Sequence, residues 1–147
     1  MNYRNLFIIP ALLAALSVNG QTQQSPAERI VEHHMASGNS RNVDEIMTDY
    51  ADDAILIAPD GTVHKGKQAI LASFQQLMTQ DPSSIITPVR KIYEGNVGYI
   101  VWTINAGQPN VVNGSDTFII RDGKIVVQTV AILPLPPVPA APAASSN

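Results

Sequence analysis

The chain has 147 residues, of which 45% are hydrophobic and 14% charged, and its net charge is −3. That length suits one ordinary domain, and the apolar fraction is sufficient for a core, which excludes a disordered chain. The acidic balance argues against gripping nucleic-acid phosphates, and the absence of cysteine removes disulfides, thiolate chemistry and a lipid-bearing N-terminal cysteine.

Residues 1–20 read as a secretory signal. Arg4 supplies the positive start, Leu6 to Val18 is an uncharged apolar run, and Val18-Asn19-Gly20 offers small residues at the cleavage positions. The run is too short for a membrane span and is interrupted by Pro10. The expected product is an exported protein, periplasmic or secreted, starting near Gln21, with no stable membrane span after cleavage. At the other end, residues 134–147 carry five of the eleven prolines. Proline lacks the amide donor of a helix or sheet, so a Pro/Ala-rich disordered tail is expected there. The folded domain is therefore expected over 21–133.

Ser25-Pro26-Ala27-Glu28 is a capping box with proline at the first helical position, and it predicts a helix to about Ser37 with Gly38 as its stop. Ala27, Ile30, Val31 and Met35 share its apolar face, and His34 falls on that face while His33 points elsewhere. Asn42 and Glu45 start a second, short helix with Val43, Ile46, Met47 and Tyr50 on one face, broken by Ala51-Asp52-Asp53. Ala54 to Ile57 is a short apolar strand, Pro59-Asp60-Gly61 a turn, and Thr62 to His64 a returning strand. A third helix is predicted from about Lys67 to Thr79, with Ile70, Phe74, Leu77 and Met78 facing inward and Asp81-Pro82 ending it.

Beyond Ile85 the apolar period changes to that of strands. Ile85 to Tyr93, Gly98 to Ile104, Val111 to Arg121 and Lys124 to Leu133 are four candidate strands, with a hairpin turn at Asp122-Gly123. Asn113-Gly114 is read as a bulge, because Val111-Val112 is too short to be a strand alone. Helices first and a strand meander after them give an α+β fold, with three N-terminal helices packed on one face of an antiparallel sheet.

Three motifs then carry a resemblance: Tyr50-Ala51-Asp52-Asp53-Ala54, Ala58-Pro59-Asp60-Gly61 and Gly66-Lys67-Gln68-Ala69-Ile70. With the closing stretch Asp116 to Ile125, they resemble the nuclear transport factor 2-like superfamily. The nearest branch is the SnoaL-like proteins, relatives of ketosteroid isomerase. The resemblance covers about residues 25–133. It implies a cone-shaped fold in which helices close a curved sheet over an internal pocket, and a homodimer paired through the outer sheet face. Members include isomerases, cyclases, epoxide hydrolases and non-catalytic binders, so fold alone does not settle activity. The isomerases use a carboxylate base and two groups that donate hydrogen bonds to an oxyanion. By resemblance the tyrosine donor falls at His34, the base at Ala58 and the protonated aspartic acid at Asp116. Alanine takes no proton, so the isomerase mechanism is not intact. Asp60 is a displaced substitute or a simple turn former.

His34 is a hydrogen-bond donor or base in an apolar pocket, or a core histidine satisfied by its neighbours. Asp116 alternates with Phe118 and Ile120 on one strand face, where burial raises its pKa and equips it to donate a hydrogen bond to a ligand carbonyl; the competing reading is an exposed residue at the bulge. His34 and Asp116 are the candidate catalytic pair, converging on one ligand oxygen. Tyr50, Asp60, Phe74, Trp102, Phe118 and Gln128 are the candidate ligand-binding residues, with Trp102 rather than Tyr99 turned to the pocket. No ligand-spaced metal set, phosphate loop or dinucleotide fingerprint is present, and no cofactor is expected. The leading expectation is an exported protein that binds a small apolar ligand with an oxygen function. The alternatives are an isomerase or cyclase using acid–base chemistry, and a structural or interaction module whose cone is filled by its own side chains.

Overall fold

Ser25 opens the first helix as the capping box requires: its hydroxyl accepts a hydrogen bond from the Glu28 amide at 3.0 Å. The computed structural model describes residues 24–133, so the expected leader and tail lie outside the described residues. Helix α1 spans Pro26–Asn39 and runs through Gly38, one residue past it, to a cap at Ser40. A lone glycine lowers helix stability without ending it unless the next residues also leave helical geometry. Asn42 caps α2, Val43–Thr48, through its side chain on the Glu45 amide.

Strand β1, Tyr50–Ile57, starts four residues earlier than its apolar run implies. Asp52 and Asp53 do not break a helix; they are exposed residues of this strand, and Asp53 meets Arg121 at 3.2 Å. Aspartate disfavours strands, and both residues sit in the register shift between the Tyr50↔Ile125 and Ile55↔Val127 pairs, where cross-strand pairing is interrupted. The Asp49 carbonyl accepts from the Ile125 amide at 2.7 Å, and Tyr50 pairs with Ile125. The short strand β2, Val63–Lys65, folds back on β1, and helix α3, Lys67–Gln80, follows. Strands β3 (Ile86–Glu94), β4 (Val97–Ile104), β5 (Val112–Arg121) and β6 (Lys124–Leu133) complete a six-stranded sheet in the order β2-β1-β6-β5-β4-β3. The four later strands form the expected antiparallel meander, while β1 joins β6 in parallel and makes the sheet mixed.

Helices α1 and α3 pack on one face of this sheet, an α+β arrangement. Ile100, Phe118, Ile120 and Ile125 from the strands meet Val31, Ile46 and Ile70 from the helices, all buried. Each such side chain contributes about 1.5–3 kcal/mol on leaving water. Asn39 ties α1 to the start of β3, donating to the Ile86 carbonyl and accepting from the Ile86 amide, both at 2.9 Å. On the opposite face, register places Ile55, Val127, Ile119 and Val97 in one partly buried apolar row across four strands. No helix among the described residues is long and apolar enough to cross a membrane.

Asn113-Gly114 is not a bulge. The β4–β5 register runs unbroken from Val97↔Ile119 to Ile104↔Val112, and the irregularity in β5 lies at Ile119/Ile120 against β6. Gly114 serves another purpose: Trp102 lies directly over it, and a Cβ there would sit 2.2 Å from the indole ring. Glycine inside a strand marks such a close approach as readily as a bulge.

Candidate functional site

Between α1, α3 and the inner sheet face is a cavity of about 480 Å³ with mostly apolar walls. His34 and Met35 come from α1, Phe74 and Leu77 from α3, and Trp102 from β4. Asp116 and Gln128 face it from β5 and β6. Helix α3 supplies Ile70 to the core, but Leu77 is not an inward residue: it is 55% exposed and borders the cavity. Gln76 and Gln80 beside it also line the cavity and are exposed, so this end of α3 borders both the cavity and solvent.

The polar chemistry concentrates on Asp116, which is 6% exposed. Trp102 Nε1–H donates to its Oδ1 at 3.1 Å, and Gln128 Nε2–H donates to its Oδ2 at 3.2 Å. The Tyr50 hydroxyl donates to Gln128 Oε1, which fixes the amide orientation and aims its NH₂ at Asp116. Register explains the convergence. Trp102 pairs with Gly114, two residues before Asp116 on the same face of β5, and Gln128 pairs with Phe118, two residues after it. Desolvation lifts Asp116 to a pKa of about 6 against the pull of the two N–H donors. Both oxygens accept hydrogen bonds, so the arrangement favours a carboxylate rather than the hydrogen-bond donor expected from resemblance. One acceptor direction on each oxygen is left over.

His34, 4% exposed, is ringed by aromatic groups: Tyr50, Phe74 and Phe118 meet it edge-on at centroid distances of 5.5, 5.9 and 5.3 Å. Burial, with the neighbouring His33 charge, lowers its pKa to about 4, so it is neutral at pH 7. His34 and Asp116 thus line one cavity, as do Phe74, Trp102, Gln128 and Asp60. Tyr50 and Phe118 do not line it; they lie behind it, fully buried, and support His34 and Gln128. Ala58, the position that the resemblance assigns to the isomerases' base, lines the cavity. Asp60 lies on the rim, but both its oxygens are engaged by Thr62, with the amide at 2.9 Å and the hydroxyl at 2.9 Å. Those bonds hold its pKa down, which suits a turn former and not a base.

The sequence reading missed His64 as a cavity residue. The signal was the tight Pro59-Asp60-Gly61 turn: it pairs His64 with Leu56, and cross-strand partners share a face.

The model of the SnoaL-like domain matches residues 31–128, two thirds of the chain. The chain belongs to the SnoaL-like domain family. No curated protein matches it. Among solved structures, a SnoaL-like protein of unknown function from Burkholderia thailandensis is similar at a TM-score of 0.66 and 15% identity, covering 76% of this chain and 98% of that one. A provisionally named polyketide cyclase from Sinorhizobium meliloti gives 0.62 and 20%, covering 69% and 93%. TerC, co-crystallised with polyporic acid, gives 0.64 and 17%, covering 74% and 92%. At these identities the likeness is one of fold.

Proposed function

We propose that this SnoaL-like protein binds an apolar small molecule bearing a carbonyl or hydroxyl oxygen and transfers a proton to or from it through Asp116. The observation that carries the reading is the Asp116 carboxylate, buried at the cavity, fixed by Trp102 and Gln128 and poised near pH 6. A structural core has no use for an ionisable group at that cost, whereas a base needs both the desolvation and the free lone pairs. The cavity volume suits a bicyclic to tetracyclic ligand. The provisional name of one similar structure and the co-crystallised molecule of another point toward the same class of ligand.

In this mechanism the ligand lies against Leu56, Phe74 and Trp102 with an acidic C–H directed at Asp116. The carboxylate takes the proton, the electron pair moves onto the ligand oxygen as an enolate, and reprotonation at another carbon or attack on a second carbonyl completes isomerisation or cyclisation. Ala58 removes the isomerase's own base, so proton transfer falls to the residue on β5.

The test uses 2-tetralone in D₂O, with α-deuteration followed by NMR. We expect exchange above background that rises with pH through about 6 and falls on the order of 10²-fold or more in Asp116→Asn. Saturable binding of 2-tetralone without accelerated exchange would leave a binding protein, the reading favoured by Ala58 at the base position. We further propose export through the residue 1–20 leader, which rests on its charged start and apolar run. Pairing of two copies through the outer face is supported by the row Ile55, Val127, Ile119 and Val97. Mass spectrometry of the chain recovered from outside the cytoplasm checks both.

A further inference from the structure

Two buried side-chain atoms among the described residues have no hydrogen-bond partner, and they face each other: His34 Nδ1 and Asp49 Oδ2, 3.8 Å apart. That is beyond a hydrogen bond but within one small ring or carboxylate rotation of it. Asp49 caps the end of α2 and is 3% exposed. Its other oxygen, Oδ1, lies 2.8 Å from His33 Nδ1. His33 keeps 41% of its side chain exposed and reaches Glu45 through Nε2 at 3.0 Å. Adjacent residues on one helix diverge by about 100°. Asp49 sits where the two imidazoles can still reach one carboxylate, one from the solvent side and one from the cavity side.

We propose that Asp49 is a positioning residue for His34: on ligand binding its Oδ2 accepts His34 Nδ1–H, which leaves Nε2 as the acceptor presented to the cavity, while Oδ1 and His33 connect the pair to solvent. A carboxylate on one ring nitrogen selects the tautomer and steadies the imidazolium that forms when the other nitrogen takes a proton. The ligand is then one with a second exchangeable proton, on a hydroxyl, besides the C–H addressed by Asp116. That proton moves to His34 Nε2, its oxygen keeps the electron pair, and the positive charge is held against Asp49. Around His34 the titratable groups are Asp49 and His33 with Glu45 and Lys124 beyond them, Tyr50 from β1, and Asp116 lining the same cavity from β5. Helix α3 presents Phe74. The proposal rests on the cavity being a ligand site, and its test separates the two.

The experiment is ¹⁵N NMR of the histidine rings of the wild-type protein near pH 7, free and with 2-naphthol, a rigid apolar hydroxyl donor. We expect His34 as the Nδ1–H tautomer with naphthol bound, and naphthol affinity reduced on the order of tenfold in Asp49→Asn. A proton on Nε2 of naphthol-bound wild type, or unchanged affinity and tautomer in Asp49→Asn, overturns the proposal. Should Asp49→Asn fail to fold, the wild-type tautomer still decides, and His33→Gln, which frees Oδ1, is expected to preserve it. Failure of naphthol and 2-tetralone alike to bind the wild type would defeat the ligand reading of the cavity. The proposed pairing forms on binding, so that outcome overturns the proposal together with the reading it rests on, whereas naphthol bound with a proton on His34 Nε2 overturns the pairing alone.

Discussion

The β-sheet side and the helix side of the cavity solve the same problem differently. On the sheet side, Tyr50, Gln128, Asp116 and Trp102 form a continuous series of hydrogen bonds, and register across four strands holds its members. On the helix side, His34 and Asp49 stop short of bonding and leave two buried atoms unpaired. The sheet geometry is over-determined, so its polar groups are fixed before any ligand arrives. The helix side depends on side-chain rotation alone and retains an adjustment that a ligand can use.

The largest effect should come from breaking the sheet side at its base. Gly114→Val forces a side chain into the Trp102 ring and the Ala131 carbonyl, and is expected to cost more than about 3 kcal/mol, read as a large fall in Tm or failure to fold. Gln128→Leu is expected to cost about 2–4 kcal/mol, because it leaves the Tyr50 hydroxyl and Asp116 Oδ2 buried without partners. The same variant should push the Asp116 titration upward, since a donor that stabilises the carboxylate is lost.

Acid titration sharpens the comparison, because the two sides act with opposite sign. Burial lowers His34 from 6.5 to about 4, so the unfolded chain takes that proton first and stability is lost as pH falls from about 6.5 to 4. Asp116 rises from 3.8 to about 6, so the native state takes that proton first and stability is gained as pH falls from about 6 to 4. Each contribution is about 3 kcal/mol, and together they nearly cancel. Urea unfolding of the wild type should therefore change little over this window on their account, while His34→Gln should gain stability toward pH 4 and Asp116→Asn should lose it. The smallest effect is expected at the rim. Asp60→Asn should leave 2-tetralone exchange within about twofold of wild type, and a larger loss would return Asp60 to the list of bases.

Much of this was legible from local patterns. The capping box at Ser25 and the Asn42 cap marked two helices because caps act within three residues. The inward aim of His34 and the common face of Asp116 and Phe118 followed from helical and strand periods. The early start of β1 was hidden, since Asp52 and Asp53 read as a break, and the Tyr50–Ile125 pair that anchors the start joins residues remote in the chain. Gly114 was misread for a related reason: its meaning lies in Trp102, twelve positions away in the chain and directly opposite in the sheet. The change of Asp116 from hydrogen-bond donor to acceptor was equally hidden, because it depends on which groups Trp102 and Gln128 aim at it.

The sequence by itself determined the elements, the α+β class, the family and the faces on which the polar side chains lie, because caps, turns and periodicity act over a few residues. Only the tertiary structure decided what those side chains do. Joining β1 in parallel to β6 set Gln128 near Tyr50, the β4–β5 register set Trp102 against Asp116, and the packing of α2 beside α1 set Asp49 between His33 and His34. Protonation states and hydrogen-bond roles depend on distances between residues remote in the chain, and those distances exist only once the sheet has closed under its helices.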